Sequence, residues 1–98
     1  MDLTSSQRKY LRSLAHHLKP SVYIGKSDLT DGVINSIDNS LAAHELIKIK
    51  FHNNKISSDC TILLKDKLKC SIIGNIGKTI IIFRQIKDIE MQKIKLPK

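Results

Sequence analysis

Leu18-Lys19-Pro20-Ser21-Val22-Tyr23-Ile24-Gly25-Lys26-Ser27 is the stretch from which the rest of the chain can be read. Pro20 closes whatever helix precedes it, because the residue before a proline is driven away from helical angles. Val22, Tyr23 and Ile24 are β-formers in an apolar piece too short for a helix, so residues 21–25 are expected to form a short buried strand. Gly25 ends that strand, and Asp28 is placed to cap a helix beginning near Leu29. A strand-to-helix turn of this kind lets a ligand approach the glycine backbone closely. It also aims the free N–H groups of the turn and of the first helical turn in one direction, which suits an anion. Lys26 adds a positive charge and Ser27 a hydroxyl at the same place.

Upstream, Thr4-Ser5-Ser6-Gln7 matches a capping box and opens a helix running to about His17. Leu3, Tyr10, Leu11, Leu14 and Leu18 recur at helical spacing and form its expected buried stripe. At about 100° per residue, Arg8, Lys9, Arg12, His16 and Lys19 gather on the other side. A solvated helix face usually mixes signs; no acidic residue interrupts this one, which favours a phosphate-facing surface.

Downstream, Leu29, Val33, Ile37 and Leu41 stack at intervals of four and predict a helix over residues 29–43. The period then becomes two over residues 45–51, with Ile47, Ile49 and Phe51 facing the core and Leu46, Lys48 and Lys50 facing out. After a turn at residues 52–55, Ser57 or Ser58 can cap a third helix over residues 59–69, with Cys60, Leu63, Leu64 and Leu68 on its core side. Its lysines, Lys65, Lys67 and Lys69, read as solubility. Residues 71–76 and 79–85 form an expected hairpin about Gly77-Lys78, and such near-continuous apolar runs suit strands covered on both faces. Residues 1–86 are thus expected to be the folded domain and residues 87–98 a loosely held basic tail. The order is α-β-α-β-α-β-β, which implies a compact α/β domain with a four-stranded mixed sheet packed with three helices.

Composition narrows the function. At 98 residues and 41% hydrophobic the chain is expected to be one globular domain. No apolar run reaches the length of a membrane span, and Met1-Asp2-Leu3-Thr4 is unlike a secretory leader, so a cytoplasmic location is expected. The formal net charge of +8 favours a polyanionic partner, although a lysine- and isoleucine-rich composition alone would raise it. Aromatic residues are only 4% of the chain, too few for a platform on which successive bases stack. Cys60 and Cys70 have no second Cys or His pair at zinc-ligand spacing and read as small buried side chains, with no metal or cofactor implied. No nucleophile–base order, HExxH or phosphate-loop motif occurs, and His16, His17, His44 and His52 lack evident partners, which speaks against an enzyme.

Taken together, the residues resemble the CRM domain, named for chloroplast RNA splicing and ribosome maturation, and in particular its bacterial single-domain members of the YhbY type. The matching pieces are the run from Ser6-Gln7-Arg8-Lys9-Tyr10 to Leu18-Lys19-Pro20, then Ile24-Gly25-Lys26. They continue with His44-Glu45-Leu46-Ile47-Lys48-Ile49-Lys50, then Ile76-Gly77-Lys78-Thr79-Ile80-Ile81-Ile82-Phe83-Arg84, and the closing Lys95-Leu96-Pro97-Lys98. The resemblance implies an α/β fold similar to the C-terminal domain of bacterial translation initiation factor three. It also implies association with precursor large ribosomal subunits and no catalytic activity.

The family carries a Gly-x-x-Gly loop after its first strand, comparable to the loop by which KH domains clamp a nucleic-acid backbone. Here Asp28 stands in place of the second glycine, either as a helix cap or as a carboxylate beside the phosphate path. A second Gly-x-x-Gly at Gly74-Asn75-Ile76-Gly77 lies between two strands and reads as a bulge and hairpin turn, with Lys78 and Arg84 nearby to contribute charge. The expected function is therefore non-catalytic binding of ribosomal RNA by a monomeric protein, through Arg8, Lys9, Arg12, His16, Lys19, Gly25, Lys26, Ser27, Lys78 and Arg84. The alternative is a basic adaptor that docks on an assembly or translation factor and has only nonspecific RNA affinity.

Overall fold

The isoleucine run Ile80-Ile81-Ile82-Phe83 decides how the layers stack, because all four side chains are buried although they point alternately to opposite faces of a strand. Such a strand needs a covering layer on each side. The computed structural model, which describes residues 3–25, 29–52 and 58–97, supplies both. Its elements run α1 (Ser5–Ala15), β1 (Val22–Ile24), α2 (Asp31–His44), β2 (Leu46–Phe51), α3 (Ser58–Leu68), β3 (Ser71–Ile76) and β4 (Thr79–Phe83), followed by a 3-10 turn at Ile89–Met91. The four strands form one mixed sheet in the order β1-β2-β4-β3. β1 pairs parallel to β2, and β4 is antiparallel to both β2 and β3. The terminal hairpin therefore inserts β4 between β2 and β3, and these two strands do not pair with each other.

Two cores result. On one face Ile80 and Ile82 join Val22, Ile24, Ile47, Ile49 and Phe51 beneath Ile37 and Leu41 of α2 and Leu64 and Leu68 of α3. On the other, Ile81 and Phe83 join Leu46 and Ile73 beneath Leu11 and Ala15 of α1, with Ile94 and Leu96 of the C-terminal segment packed against the edge of this cluster. The expected fold class is thus the observed one, and the structure adds the split of helices between the two faces.

Local boundaries differ where side-chain chemistry outweighs pattern. The Thr4–Gln7 capping box forms, with the Gln7 N–H donating to Thr4 Oγ1 at 3.1 Å and the Thr4 N–H to Gln7 Oε1 at 3.0 Å. α1 stops at Ala15, short of His17, and Tyr10 and Leu18 of its expected stripe are exposed while Ala15 is buried. α2 is capped by Thr30, whose Oγ1 accepts from the Val33 N–H at 3.2 Å, so the capping role expected of Asp28 falls to Thr30. Asp28 itself lies outside the described residues, as do Ser57 and the side chain of Ser58, the expected caps of α3. Leu46, expected to face out, is buried under α1, whereas Leu63 of α3, expected in the core, is exposed. β4 ends at Phe83 rather than Gln85, and the Arg84 side chain lies toward α2.

The C-terminal segment is docked, contrary to the loose tail expected. Glu45 follows α2 with φ 65°, a conformation few non-glycine residues adopt, and its side chain is completely buried. Its carboxylate accepts from the N–H groups of Ile86 at 2.6 Å, Lys93 at 2.6 Å and Ile94 at 2.8 Å. Gln7 Nε2 donates to Pro97 O at 2.9 Å and ties the same segment to the start of α1. Backbone donors of the C-terminal segment thus converge on one buried carboxylate.

Two predictions follow from these contacts. Glu45→Gly relaxes the backbone at a positive φ, yet it should destabilise the protein by about 2–4 kcal/mol, because three backbone donors lose a charged acceptor. Denaturant unfolding measures this, and hydrogen exchange should speed up at Ile86, Lys93 and Ile94 before the sheet amides; a neutral or stabilising outcome would remove Glu45 from this role. Cys70, buried with its thiol donating to Leu64 O at 3.6 Å, has its pKa raised to about 11, mainly by burial and against the opposing pull of Arg84. A raised folded-state value means the fold favours the protonated thiol, so its contribution is present below pH 9 and fades as the pH climbs toward 11. The stability difference between the natural protein and Cys70→Ala should shrink across that window in urea titrations, and a constant difference would contradict it.

Candidate nucleic-acid interface

α1 brings its arginines to the open edge of the sheet. Arg8 Nη1 donates to Ile72 O at 2.8 Å and Arg12 Nη1 to Ile73 O at 3.4 Å. The register slips between Ile72 and Gly74, and the Arg12 side chain lies along Gly74, its Cδ 3.5 Å from where a Cβ would stand. Both guanidiniums therefore cover carbonyls that edge strand β3 would otherwise leave to solvent. Arg8 also shares a surface cleft with Lys65, Asp66 and Lys69 of the α3 end, so two of the lysines read as solubility lie near Arg8 across this edge. Lys9 is exposed on the helix. His16 is the C-cap residue and is exposed, with its ring edge-on to His17 at 5.6 Å. Lys19 is exposed too, but it lies past the end of α1 and does not share the helix face expected of it.

The glycine turn sits at the far edge. Gly25 follows β1 and is exposed, with nothing within 4 Å of where a Cβ would stand, so it leaves open space for a ligand. Lys26 and Ser27 lie outside the described residues. The hairpin turn is drawn to the same end of the sheet. The His52 N–H donates to Ile24 O at 2.8 Å and the Phe51 N–H to Lys78 O at 2.8 Å, while Lys78 Nζ donates to His52 O at 3.3 Å. The second Gly-x-x-Gly is the expected bulge and hairpin, with Gly77 at φ 59°.

Arg84 is a correction. It begins where β4 ends, six residues from Lys78, about 20 Å along an extended strand, and points to the face opposite α1. Its guanidinium pairs with Asp38 Oδ1 at 2.6 Å and donates to Asp38 O and Leu68 O, each at 3.0 Å, joining α2, α3 and β4. It is a clamp between elements rather than a free cation.

Between Arg12 on β3 and Gly25 on β1 lie three strand spacings, about 14 Å. The residues that cross this gap on the α1 face were not singled out from the sequence. Tyr23 pairs with Lys50, Lys50 with Thr79, and Thr79 with Ile76, one residue from each strand. Lys48, on the same face, donates from Nζ to Leu18 O at 3.1 Å and ties the end of α1 to β2. The outward parity of Lys48 and Lys50 was the available signal; their place beside α1 was not.

Charge is segregated around this face. Among the described residues the carboxylates belong to α2 (Asp31, Asp38), α3 (Asp59, Asp66), buried Glu45, and the 3-10 turn (Asp88, Glu90). α1 and the four strands contain none, but carry Arg8, Lys9, Arg12, Lys48 and Lys50. Arg84→Gln should accordingly lower stability by about 1–2 kcal/mol, a partly exposed pair with two carbonyl bonds, and leave polyanion affinity unchanged. Thermal unfolding and heparin retention test the two halves; weakened retention at unchanged stability would return Arg84 to the interface.

Comparison with known proteins gives this arrangement its relatives. The chain is 35% identical over 97 residues to the "Probable RNA-binding protein YqeI" of Bacillus subtilis, covering 97% of this chain and 99% of that one. It is 34% identical over 98 residues to an "RNA-binding protein" of Haemophilus influenzae, covering 98% and 96%. The solution structure of SAV1595 from Staphylococcus aureus, described there as a candidate RNA-binding protein, superposes with a TM-score of 0.72 at 35% identity, covering 98% of this chain and all of that one. The profile of the CRS1/YhbY (CRM) domain matches residues 3–84, so the chain belongs to the CRS1/YhbY (CRM) domain family.

Proposed function

We propose that the protein binds RNA without catalysing a reaction on it, through the cationic face formed by α1 and the sheet, during assembly of the large ribosomal subunit. The observation that carries the reading is the segregation of charge: α1 and the strands carry cations and no carboxylate, whereas α2 carries carboxylates and no lysine or arginine and α3 carries both signs. A surface of one sign attracts a polyanion and releases its counterions. Family membership and the RNA-binding names of the relatives support RNA as that polyanion.

Each side chain then has a task. Lys9, Arg12, His16 and Lys19 meet phosphates from the exposed side of α1 and the segment after it. Arg8 does so while also holding the edge of β3. Gly25 offers close backbone approach, Lys26 an ammonium, Ser27 a hydroxyl, and Lys78 a second charge at the same end of the sheet. Phosphate contacts of this type orient the RNA without reading its sequence. Shape and 2′-hydroxyls would carry the preference for one site over another.

Lys9→Ala with Arg12→Ala should weaken binding to ribosomal RNA and lower the salt dependence of log K by about one per residue removed. Filter binding across a salt series reads both, and an unchanged slope would place the contacts elsewhere. For the ribosomal role, sedimentation of a cell lysate should find the protein with large-subunit precursors; recovery only in the particle-free fractions would refute it.

A further inference from the structure

The row Tyr23, Lys50, Thr79 and Ile76 is the part of the α1 face that α1 does not reach. Tyr23 is 67% exposed and Ile76 69% exposed, and Lys50 is exposed between them. One row nearer the helix, Ile81 is buried and Gly74 lies under the Arg12 side chain, so cover ends abruptly. Of the four aromatic residues, Phe51 and Phe83 are in the cores and Tyr10 is on the helix flank. Tyr23 alone projects from the sheet, with a lysine on the adjacent strand about 4.8 Å away.

We propose that this row is a stacking site for a single unpaired nucleotide of RNA, with the Tyr23 ring against the base and Lys50 against the adjoining phosphate. The proposal rests on the RNA-binding reading above and gives it a substrate class: RNA with an extruded or single-stranded residue rather than regular duplex. An aromatic ring beside a cation, on strands that carry no carboxylate, suits the flat base and charged backbone of a nucleotide. A base within a regular duplex has its faces occupied by its neighbours, so only an unstacked one can take the ring. The row also lies between Arg12 and Gly25, so a strand running from the α1 edge to the glycine turn must pass over it. One ring serves one base, which is compatible with a chain too poor in aromatics for a longer platform.

The test uses the full chain and two RNA hairpins that differ only in one extruded uridine. The natural protein should prefer the bulged hairpin. Tyr23→Ala should lose about tenfold in affinity for it, the size of one base–aromatic stack, and nothing for the fully paired hairpin, while Tyr23→Phe keeps the preference. Lys50→Ala should weaken the bulged complex and flatten its salt dependence. With 4-thiouridine at the bulge, irradiation should crosslink the peptide that contains Tyr23. If the natural protein binds both hairpins and Tyr23→Ala changes neither, or the crosslink falls elsewhere, the stacking site is wrong and the RNA reading stands. If the natural protein binds neither, the RNA reading fails and the site with it. A dimer in sedimentation that Tyr23→Ala dissociates would assign the row to self-association and overturn the proposal.

Discussion

Two-sided burial of β4 is the constraint on which the architecture rests. Ile80 and Ile82 need one apolar layer and Ile81 and Phe83 another, so neither face of the sheet can be left bare along its centre. α2 and α3 fill the first face. The second receives one helix, α1, of 11 residues, about 16 Å long and 10 Å across, with Ile94 and Leu96 of the C-terminal segment at its edge. The helix contacts β2 and β3 and leaves one end of this face uncovered. That open end is where Tyr23, Lys50 and Ile76 are exposed. Here the candidate binding surface is a consequence of how little helix the chain assigns to one side.

Ties at the two ends of the sheet keep this geometry in place. At the end where β2 begins, Glu45 gathers backbone donors from the C-terminal segment and Arg84 fastens α2 and α3 to the end of β4. At the other end, His52 and Lys78 bring the strand before Gly25 and the hairpin turn together. The first end is closed by packed polar ties. The second leaves Gly25 and Lys78 exposed on either side of the β2 terminus, the position at which a phosphate backbone could be held.

Charge distribution follows from the same division of labour. α2 and α3 include carboxylates at their first turns, where they complement the helix dipole, as Asp31 and Asp59 do. α1 instead opens with a neutral Thr–Gln capping box and has no acid in its first turn. Its N–H groups are satisfied without a negative charge, so its exposed side stays wholly cationic. The means of starting the helix thereby preserves the electrostatic character of the face.

Much of the fold was legible locally. Helical periodicity, the capping box, the Pro20 stop, the alternation in β2 and the Gly77 turn are all interactions between residues a few positions apart, and each appears in the structure. Legibility failed where partners are remote. Glu45 meets its donors 41 to 49 residues downstream, Arg84 finds Asp38 46 residues upstream, and no local pattern announces either. The basic side chains of the interface were visible as a composition and a helix face, but Lys19 fell off that face once α1 ended at Ala15, and Arg84 was drawn to the other side. The amino-acid order by itself settled which elements form and most of their apolar faces, since both depend on short-range periodicity, while Leu46 and Leu63 took the side their packing decided. Only tertiary structure settled the insertion of β4 between β2 and β3 and the side on which each helix lies, and with them the open row headed by Tyr23. Those outcomes depend on burying two apolar faces at once, a condition that no single segment of the chain contains.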